Sequence, residues 1–192
     1  MNFAKARFTE TMVVTYGLLL LIGGMARGSF SAAQVKAGDP SQLKLTSTSL
    51  QRRKIPRRYT CDGEDTSLAL SWSAPPPATQ SLALIVTDPD APGGAFVHWL
   101  LYNLPATKRE LPEGISKEGR QLDDSLQGRN DFDEIGYRGP CPPGRTPHHY
   151  VFALYALDSR LPLPSGQTRE QIENAMKGHM LARGELIALY EP

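Results

Sequence analysis

Short runs of apolar residues, some continuous and some alternating with polar ones, follow one another along the chain after residue 42 and predict β-strands. Strands are predicted, in chain order, over residues 43–49, 67–73, 81–87, 96–104, 150–157 and 186–190. The first two alternate apolar and polar positions, as half-buried strands do. The runs at 81–87 and 96–104 are almost continuously apolar, which is typical of strands covered on both faces.

One helix is predicted between Thr168 and Ala182, where apolar residues recur at helical spacing. Thr168 and Gln171 have the spacing of a capping box, which would fix the start of the helix. The apolar face comprises Ile172, Ala175, Met176, His179 and Met180. A histidine on such a face is most simply a core residue with a satisfied partner, and the alternative for His179 is a contact at the rim of a pocket.

The composition favours a fold rich in turns. The 192 residues suit one domain better than two, and 17 Gly with 16 Pro favour an all-β or α+β architecture over a helical bundle. Residues 105–145 are rich in Gly, Pro and charge and are predicted to form long ordered loops. The expected fold class is therefore mainly β (α+β), with one late helix.

The first 33 residues have the features of a secretory signal peptide. Lys5 and Arg7 precede an apolar run over residues 12–25, and small residues at 31 and 33 suit a cleavage site. The run is shorter than the roughly 20 residues that a spanning helix needs. An uncleaved N-terminal anchor is the alternative, and either form exposes the domain to a periplasmic or extracellular compartment. We expect a signal peptide over 1–33, a linker over 34–42 and a folded domain over 43–192.

The charge balance argues against nucleic-acid binding. Removing the three basic and one acidic residues of segment 1–33 from the totals of 21 and 20 leaves 18 basic and 19 acidic side chains. Such a balance leaves no electrostatic footprint for nucleic acid. The densest basic stretch contains Arg52, Arg53, Lys54, Arg57 and Arg58. It is either a solvated strand end or loop, or a docking patch for an acidic partner or anionic lipid.

The chain has two cysteines, Cys61 and Cys141, and both would be exported. An even number of cysteines in an oxidising compartment favours a disulfide. Two buried free thiols are the alternative.

The first candidate site comprises residues 88–94 and His98. The segment Asp-Pro-Asp-Ala-Pro-Gly-Gly at 88–94 ends a strand in a turn that two prolines stiffen, and the next strand returns with His98. Asp90 taken alone is ordinary turn chemistry. His98 lies inside an apolar strand, where an unpaired imidazole is costly, so it needs either a structural acceptor or a ligand.

The second candidate site comprises a Gly/Pro-rich loop and the strand that follows it. The loop at 136–144 can bring rigid backbone N–H groups close to an anion. Because side chains alternate across a strand, His148 and Tyr150 share one face and His149 lies on the other.

Several motifs of these segments occur in a fixed order along the chain. They are residues 88–92 (Asp-Pro-Asp-Ala-Pro), 97–99 (Val-His-Trp) with Asn103, 139–143 (Gly-Pro-Cys-Pro-Pro), and His148 with Tyr150. Together they resemble the two signature blocks of the phosphatidylethanolamine-binding protein family. Residues 61–63 (Cys-Asp-Gly) and 176–182 (Met-Lys-Gly-His-Met-Leu-Ala) resemble its bacterial Raf-kinase-inhibitor-like branch (YbhB/YbcL). The similarity extends from about Leu43 to Tyr190.

This resemblance implies a large central antiparallel sheet, a smaller second sheet, and a small anion pocket at one end of the central sheet. It also implies cis peptide bonds beside prolines of the first block. The ligand-binding residues that it implies are Asp88, Asp90, His98, Gly139, Pro140, Pro142, His148 and Tyr150. The chain departs from the family pattern at His149, where Arg is usual, and we expect the change to affect a partner contact rather than the pocket.

The implied ligand is a phosphate-type anion or a phospholipid head group. The resemblance also implies a kinase or protease as protein partner and a homodimer as assembly, with no cofactor. A carboxylate beside a histidine raises the imidazole pKa and orients the ring, which can then donate to phosphate oxygens. We therefore expect anion binding to strengthen as the pH falls through the histidine range, near 6.5.

Two other function classes remain open beside the binding protein. A hydrolase-type enzyme could use the Asp, His and Tyr side chains for acid–base work, or Cys141 as a nucleophile with His148 as its base. The sequence contains no Gly-x-Ser-x-Gly, His-Glu-x-x-His or phosphate-binding Walker motif. A metal site built from His98, His148 and the aspartates would match no compact ligand spacing.

Overall fold

The computed structural model describes residues 41–192 with the exception of positions 122 and 145. The predicted signal peptide, and residues 34–40 of the predicted linker, lie outside these residues. Within the described part, one short 3-10 turn at Arg57–Tyr59 and one helix, α1 at Arg169–Met176, accompany the strands. The strands are β1 (Leu45–Thr46), β2 (Leu70–Trp72), β3 (Ser81–Asp88), β4 (Phe96–Pro105), β5 (Glu110–Leu111), β6 (Leu126–Gln127), β7 (His148–Leu157) and β8 (Met180–Tyr190).

The strands form two antiparallel sheets. The central sheet has five strands in the order β6-β4-β3-β7-β8, and the smaller one has three in the order β1-β2-β5. The long apolar runs form β3, β4 and β7, which occupy the middle of the central sheet. The predicted fold class, mainly β with a late helix, is confirmed.

Both faces of the central sheet are covered at its middle strands, which explains the continuous apolar runs. Residues Leu82, Leu84 and Val86 of β3 belong to one core, which also contains Leu70 and Trp72 of the small sheet. The alternate residues of β3, Ala83 and Ile85, belong to a second core with Ile172 and Met176 of α1. A strand buried on both sides has no polar face, so its sequence does not alternate.

The helix begins where its sequence predicted and ends earlier. Thr168 is the N-cap and forms the full capping box with Gln171. The expected end at Ala182 is wrong, because α1 ends at Met176 and β8 begins at Met180. Gly178 has φ 80°, a left-handed conformation that terminates helices and that glycine adopts without steric cost.

Other boundaries also differ from the sequence prediction. The predicted strand at 43–49 shortens to β1, the last strand gains six residues at its start, and loop 105–145 contains β5 and β6. Residues 41 and 42 of the predicted linker lie alongside β8 through backbone hydrogen bonds around Arg183. The expected cis peptide bonds are not found among the described residues.

The part of the chain that the structure describes contains no helix with the length and apolar character needed to cross a membrane.

Candidate functional site

The two candidate segments meet at one end of the central sheet. β3 ends at Asp88, β4 begins at Phe96 and β7 begins at His148. Because β3 runs antiparallel to both neighbours, Asp88 lies opposite Phe96 at the start of β4 and close to the start of β7, where Val151 pairs with Thr87. The topology therefore brings an aspartate and two histidines together although 60 residues separate Asp88 from His148.

Asp88 and His148 form a buried pair. The His148 Nδ1 lies 2.7 Å from the Asp88 Oδ2, and the two side chains are only 5% and 4% exposed, respectively. The other carboxylate oxygen, Oδ1, accepts the backbone N–H of Asp90 at 2.9 Å. Since a carboxylate accepts and does not donate, His148 carries its proton on Nδ1 and leaves Nε2 as an acceptor while the ring is neutral.

His98 is held in the same way by a different acceptor. Its Nδ1 lies 2.8 Å from the Arg138 carbonyl oxygen, so Nδ1 carries the proton and Nε2 remains an acceptor in the neutral ring. Burial lowers the pKa of His98 below its ordinary value of 6.5, and the Arg138 carbonyl and the nearby Asp88 carboxylate offset this only in part. For His98, then, the expected rise in pKa beside a carboxylate is wrong because desolvation outweighs it.

Tyr150 lies behind these groups with its hydroxyl buried. Its ring packs edge-on against the His98 ring, with centroids 5.1 Å apart. The hydroxyl is close enough to the Asp88 carboxylate and the Cys141 backbone to interact electrostatically, yet it makes no hydrogen bond of good geometry within the described residues. Burial, reinforced by the negative charge of Asp88, raises the Tyr150 pKa far above its ordinary value. Tyr150 is therefore a neutral hydroxyl with an unused donor.

A cavity of about 280 Å³ opens beside Asp88 and His98. Its lining residues are Asp88, Ala91, Pro92, Phe96, His98, Phe132, Cys141, Pro142 and Pro143. Of the predicted ligand residues, Asp88, His98 and Pro142 line it directly. His148 and Tyr150 do not; they stand behind it, one against Asp88 and the other against His98.

Phe132 is a lining residue that sequence reasoning missed. Asp131 holds this part of the loop against β4, since its backbone N–H donates to the Val97 carbonyl and its carboxylate accepts the Val97 N–H at 2.7 Å. The Phe132 ring then packs edge-on against the rings of Phe96 and His98 at 4.8 and 5.2 Å. An aromatic residue inside a long Gly- and charge-rich loop has no periodic signal, so only the fold reveals this wall.

A disulfide joins Cys61 to Cys141, which confirms the predicted pairing. Cys141 lines the cavity, so the bond ties the Pro142–Pro143 wall to the segment at residue 61. Gly139 and Pro140 do not line the cavity. The Pro140 carbonyl accepts the Cys61 N–H, and Gly139 passes so close to the Tyr59 carbonyl that a Cβ would lie 2.3 Å from its oxygen. These two residues position the loop.

Asp90 faces away from the cavity and pairs with His149. One of its oxygens accepts the His149 backbone N–H at 2.7 Å and lies 2.8 Å from the His149 Nδ1. These hydrogen bonds lower the pKa of Asp90. As strand alternation predicted, His149 is exposed on the opposite side of β7 from His148. The turn at 88–92 is thus attached to the start of β7 by two His–Asp pairs.

His179 has neither of the expected environments. It follows α1, its side chain is exposed, and its Nδ1 lies 2.7 Å from the Asp158 carboxylate. It is therefore not a core residue, and it is not among the residues that line the cavity. Among the described residues, no three His, Cys, Asp or Glu side chains are grouped closely enough to hold a metal ion.

Two antiparallel sheets with a small pocket at the end of the central strands define a class of β-rich binding proteins. The family model described as phosphatidylethanolamine-binding protein matches residues 46–191 of this chain. A UPF0098 protein of Methanothermobacter thermautotrophicus is 49% identical over 139 residues, which cover 72% of this chain and 91% of the relative. One from Pyrococcus abyssi is 46% identical over 157 residues, covering 80% and 88%.

Two solved structures agree with these sequence matches. A phosphatidylethanolamine-binding protein homolog of Chlamydia trachomatis, CT736, superposes with a TM-score of 0.72 at 40% identity, covering 79% of this chain and 99% of that one. Escherichia coli YbcL, described as a member of the mammalian PEBP family, gives the same TM-score and coverage at 34% identity. The chain therefore belongs to the phosphatidylethanolamine-binding protein family.

Proposed function

We propose that the cavity binds a small phosphate-type anion or head group, and that binding is coupled to protonation of its histidines. The observation that carries the proposal is the buried Asp88–His148 pair, 2.7 Å long, beside His98 at a cavity of about 280 Å³. That volume lies just below the roughly 300–1,000 Å³ typical of small-molecule sites, so it suits a head group rather than a whole lipid.

The hydrogen bonds of the two histidines determine whether their free ring nitrogens can donate to a ligand. In their neutral forms both histidines use their only N–H internally and offer Nε2 as an acceptor. Protonation of the His98 ring, which lines the cavity, turns its Nε2 into a charged donor, which forms strong hydrogen bonds to phosphate oxygens. An anion therefore gains a charged donor when His98 takes up a proton, in addition to the neutral Tyr150 hydroxyl behind it.

This coupling predicts how affinity depends on pH. The pKa of His98 is below 6.5 in the free protein, so its protonated form is scarce near neutral pH and grows as the pH falls below 6.5. We expect the association constant for phosphate and phosphoethanolamine to change little between about pH 8 and pH 7 and to increase as the pH falls from about 6.5 to 5. Isothermal titration calorimetry at several pH values, with acetate as a smaller anion for comparison, measures the change.

Variants separate the pocket from a general charge effect. We expect His98→Ala and His148→Ala to lose roughly tenfold or more in phosphate affinity at low pH. His179→Ala removes an exposed histidine with a similar aspartate partner and should leave affinity unchanged. His148→Ala leaves the buried Asp88 carboxylate without its partner and could unfold the protein. His148→Gln keeps a side chain that can donate to Asp88, and thermal unfolding shows whether this variant is folded. An affinity that is constant over this pH range, or equal in all variants, would contradict the proposal.

The hydrolase alternative is weaker on the same site. Cys141 is bonded to Cys61, so its sulfur is not available as a nucleophile in the oxidised protein. The Asp88–His148 pair could still transfer protons, but hydrolysis would also need a nucleophile, whereas anion binding needs only the groups already described. The resemblance to Raf-kinase-inhibitor-like proteins also suggests a regulatory role, in which an anion bound in the cavity alters a contact with a kinase or protease. Inhibition assays with and without phosphate test this role.

We also propose that the protein is exported and that residues 1–33 are removed. The disulfide supports this, because disulfides persist in oxidising compartments and are rare in a reducing cytosol. Cell fractionation with intact-mass measurement should find the protein outside the cytoplasm, lighter by the leader. Protein of full mass in the cytosolic fraction would contradict the proposal.

A further inference from the structure

A second concave surface lies on the outer side of β7 and β8, separate from the cavity. It is a groove of about 410 Å³ lined by Arg52, Arg53, Lys54, His149, Ile187, Ala188 and Leu189. Ile187 is 46% exposed, and Met180 is the other large apolar side chain with comparable exposure among the described residues. The groove thus combines an exposed apolar residue with a cluster of basic ones.

The positive charge in this groove belongs to two arginines. Lys54 pairs with Glu191 at 2.6 Å, and His149 pairs with Asp90. Arg52 and Arg53 have no ion pair and no side-chain hydrogen bond with any described residue. Since Lys54 is already paired with a carboxylate, the two guanidinium groups carry the unbalanced charge of this surface, and they suit carboxylates because each presents a planar fork of donors.

The backbone holds both arginines in an unfavourable conformation. Gln51 and Lys54 exchange backbone hydrogen bonds of 3.0 and 2.8 Å, which makes residues 52 and 53 the tip of a two-residue hairpin. Their φ angles are 50° and 66°, in the left-handed region where Asn and Gly are the favoured residues of such turns. Arginines in such an unfavourable backbone conformation, with no side-chain contact in the described part of the chain to offset the cost, suggest that these side chains contact another molecule.

The same hairpin is fixed rigidly beside the apolar residues. The Arg53 carbonyl accepts the Leu189 N–H at 2.9 Å, and the Leu189 carbonyl accepts the Ile55 N–H at 2.8 Å. The arginines are therefore presented in a defined position next to Ile187 and Leu189, which lowers the entropy lost when a partner is bound.

We propose that this groove binds an acidic, extended peptide segment of a partner protein, with an apolar side chain of the peptide packed on Ile187. Carboxylates of the peptide pair with Arg52 and Arg53. The concave shape favours a peptide over a membrane, because a lipid surface is flat and meets protruding side chains. The inference does not depend on what the cavity binds.

The test uses the purified protein and a fluorescein-labelled peptide of sequence Glu-Asp-Glu-Leu-Glu-Asp, with fluorescence anisotropy at low and physiological salt. We expect saturable binding that weakens with salt, and none for the same peptide with Gln and Asn replacing Glu and Asp. Arg52→Asn combined with Arg53→Gly keeps the turn and removes the charges. This double variant should bind roughly tenfold more weakly while its thermal midpoint stays the same or rises.

Matched variants make the result specific. Arg120→Gln with Arg129→Gln removes the same net charge from two exposed arginines that pair with Asp124 and Asp133, and should leave peptide affinity unchanged. Ile187→Ala should lower affinity a few-fold. Equal affinity in the Arg52/Arg53 variant, equal loss in the Arg120/Arg129 variant, or binding to phosphatidylglycerol vesicles with none to the peptide would each overturn the proposal.

Discussion

Two buried tyrosines of this protein differ in a single hydrogen bond. The Tyr137 hydroxyl donates to the Tyr59 carbonyl at 2.7 Å, whereas the equally buried Tyr150 hydroxyl has no partner of good geometry. A buried polar group without a partner costs free energy that a made hydrogen bond recovers. The Tyr150 hydroxyl is therefore an unpaired hydrogen-bond donor close to Asp88 and Cys141, two residues that line the cavity.

This difference predicts opposite outcomes for the same substitution. Tyr137→Phe should lower the free energy of unfolding by about 1 kcal/mol or more, because the Tyr59 carbonyl loses its donor. Tyr150→Phe should change it by less than about 0.5 kcal/mol, since no hydrogen bond is lost. Chemical denaturation measures both. A Tyr150→Phe variant destabilised as much as Tyr137→Phe would mean that the hydroxyl is satisfied in the free protein.

At the scale of single residues, the sequence predicted the polar members of the site better than the apolar ones. His98 stands out because a polar group inside an apolar strand requires a partner, whereas Asp88 and His148 were implied by the family resemblance, and the structure brings all three together. Asp90 shares the same motif but faces His149, since residues two apart in a turn need not point the same way. Phe132 carried no signal at all, because its position depends on the Asp131 contact with β4.

At the scale of elements, periodicity located the strands and failed at boundaries. β3, β4 and β7 match their predicted ranges within two residues, because continuous apolar runs end where burial ends. The end of α1 was misplaced because apolar spacing continued through His179 and Met180 into β8. Gly178 was the available signal, and its left-handed φ outweighs the pattern around it.

The two-residue strands β5 and β6 could not be predicted from the sequence. Their pairing with β2 and β4 is set by contacts with distant strands, and two residues are too few to show a period. Phe132, which forms part of the cavity wall, lies in the same long loop. The lining residues on the strands, such as Asp88 and His98, were therefore predicted more completely than those in the loop.

At the scale of the whole molecule, one covalent bond closes a loop with a sequence separation of 80 residues. A cross-link of that size restricts the unfolded chain, and a chain-entropy estimate gives about 4.5 kcal/mol as its upper contribution. We expect Cys61→Ser with Cys141→Ser to lower the free energy of unfolding by roughly 2–4 kcal/mol in urea. Reductant should lower the native midpoint towards that of the double variant.

The double variant is also the control for that experiment, since reductant should not affect it. Phosphate affinity measured on the folded double variant separates stability from binding, because Cys141 also lines the cavity. A native protein whose midpoint is insensitive to reductant, with the double variant equally stable, would show that the cross-link contributes little.

The pairing of His148 with Asp88 and of His149 with Asp90 has a consequence for sequence change in this part of the chain. Consecutive histidines of β7 serve opposite faces, so displacement of the strand by one position would exchange them and place Tyr150 on the outside. A residue inserted within β7 itself, between His148 and Tyr150, would therefore put these two side chains on opposite faces of the sheet and mix the chemistry of the interior with that of the exterior. A change of length in the exposed segment before His148 carries no such penalty, because a surface loop absorbs it.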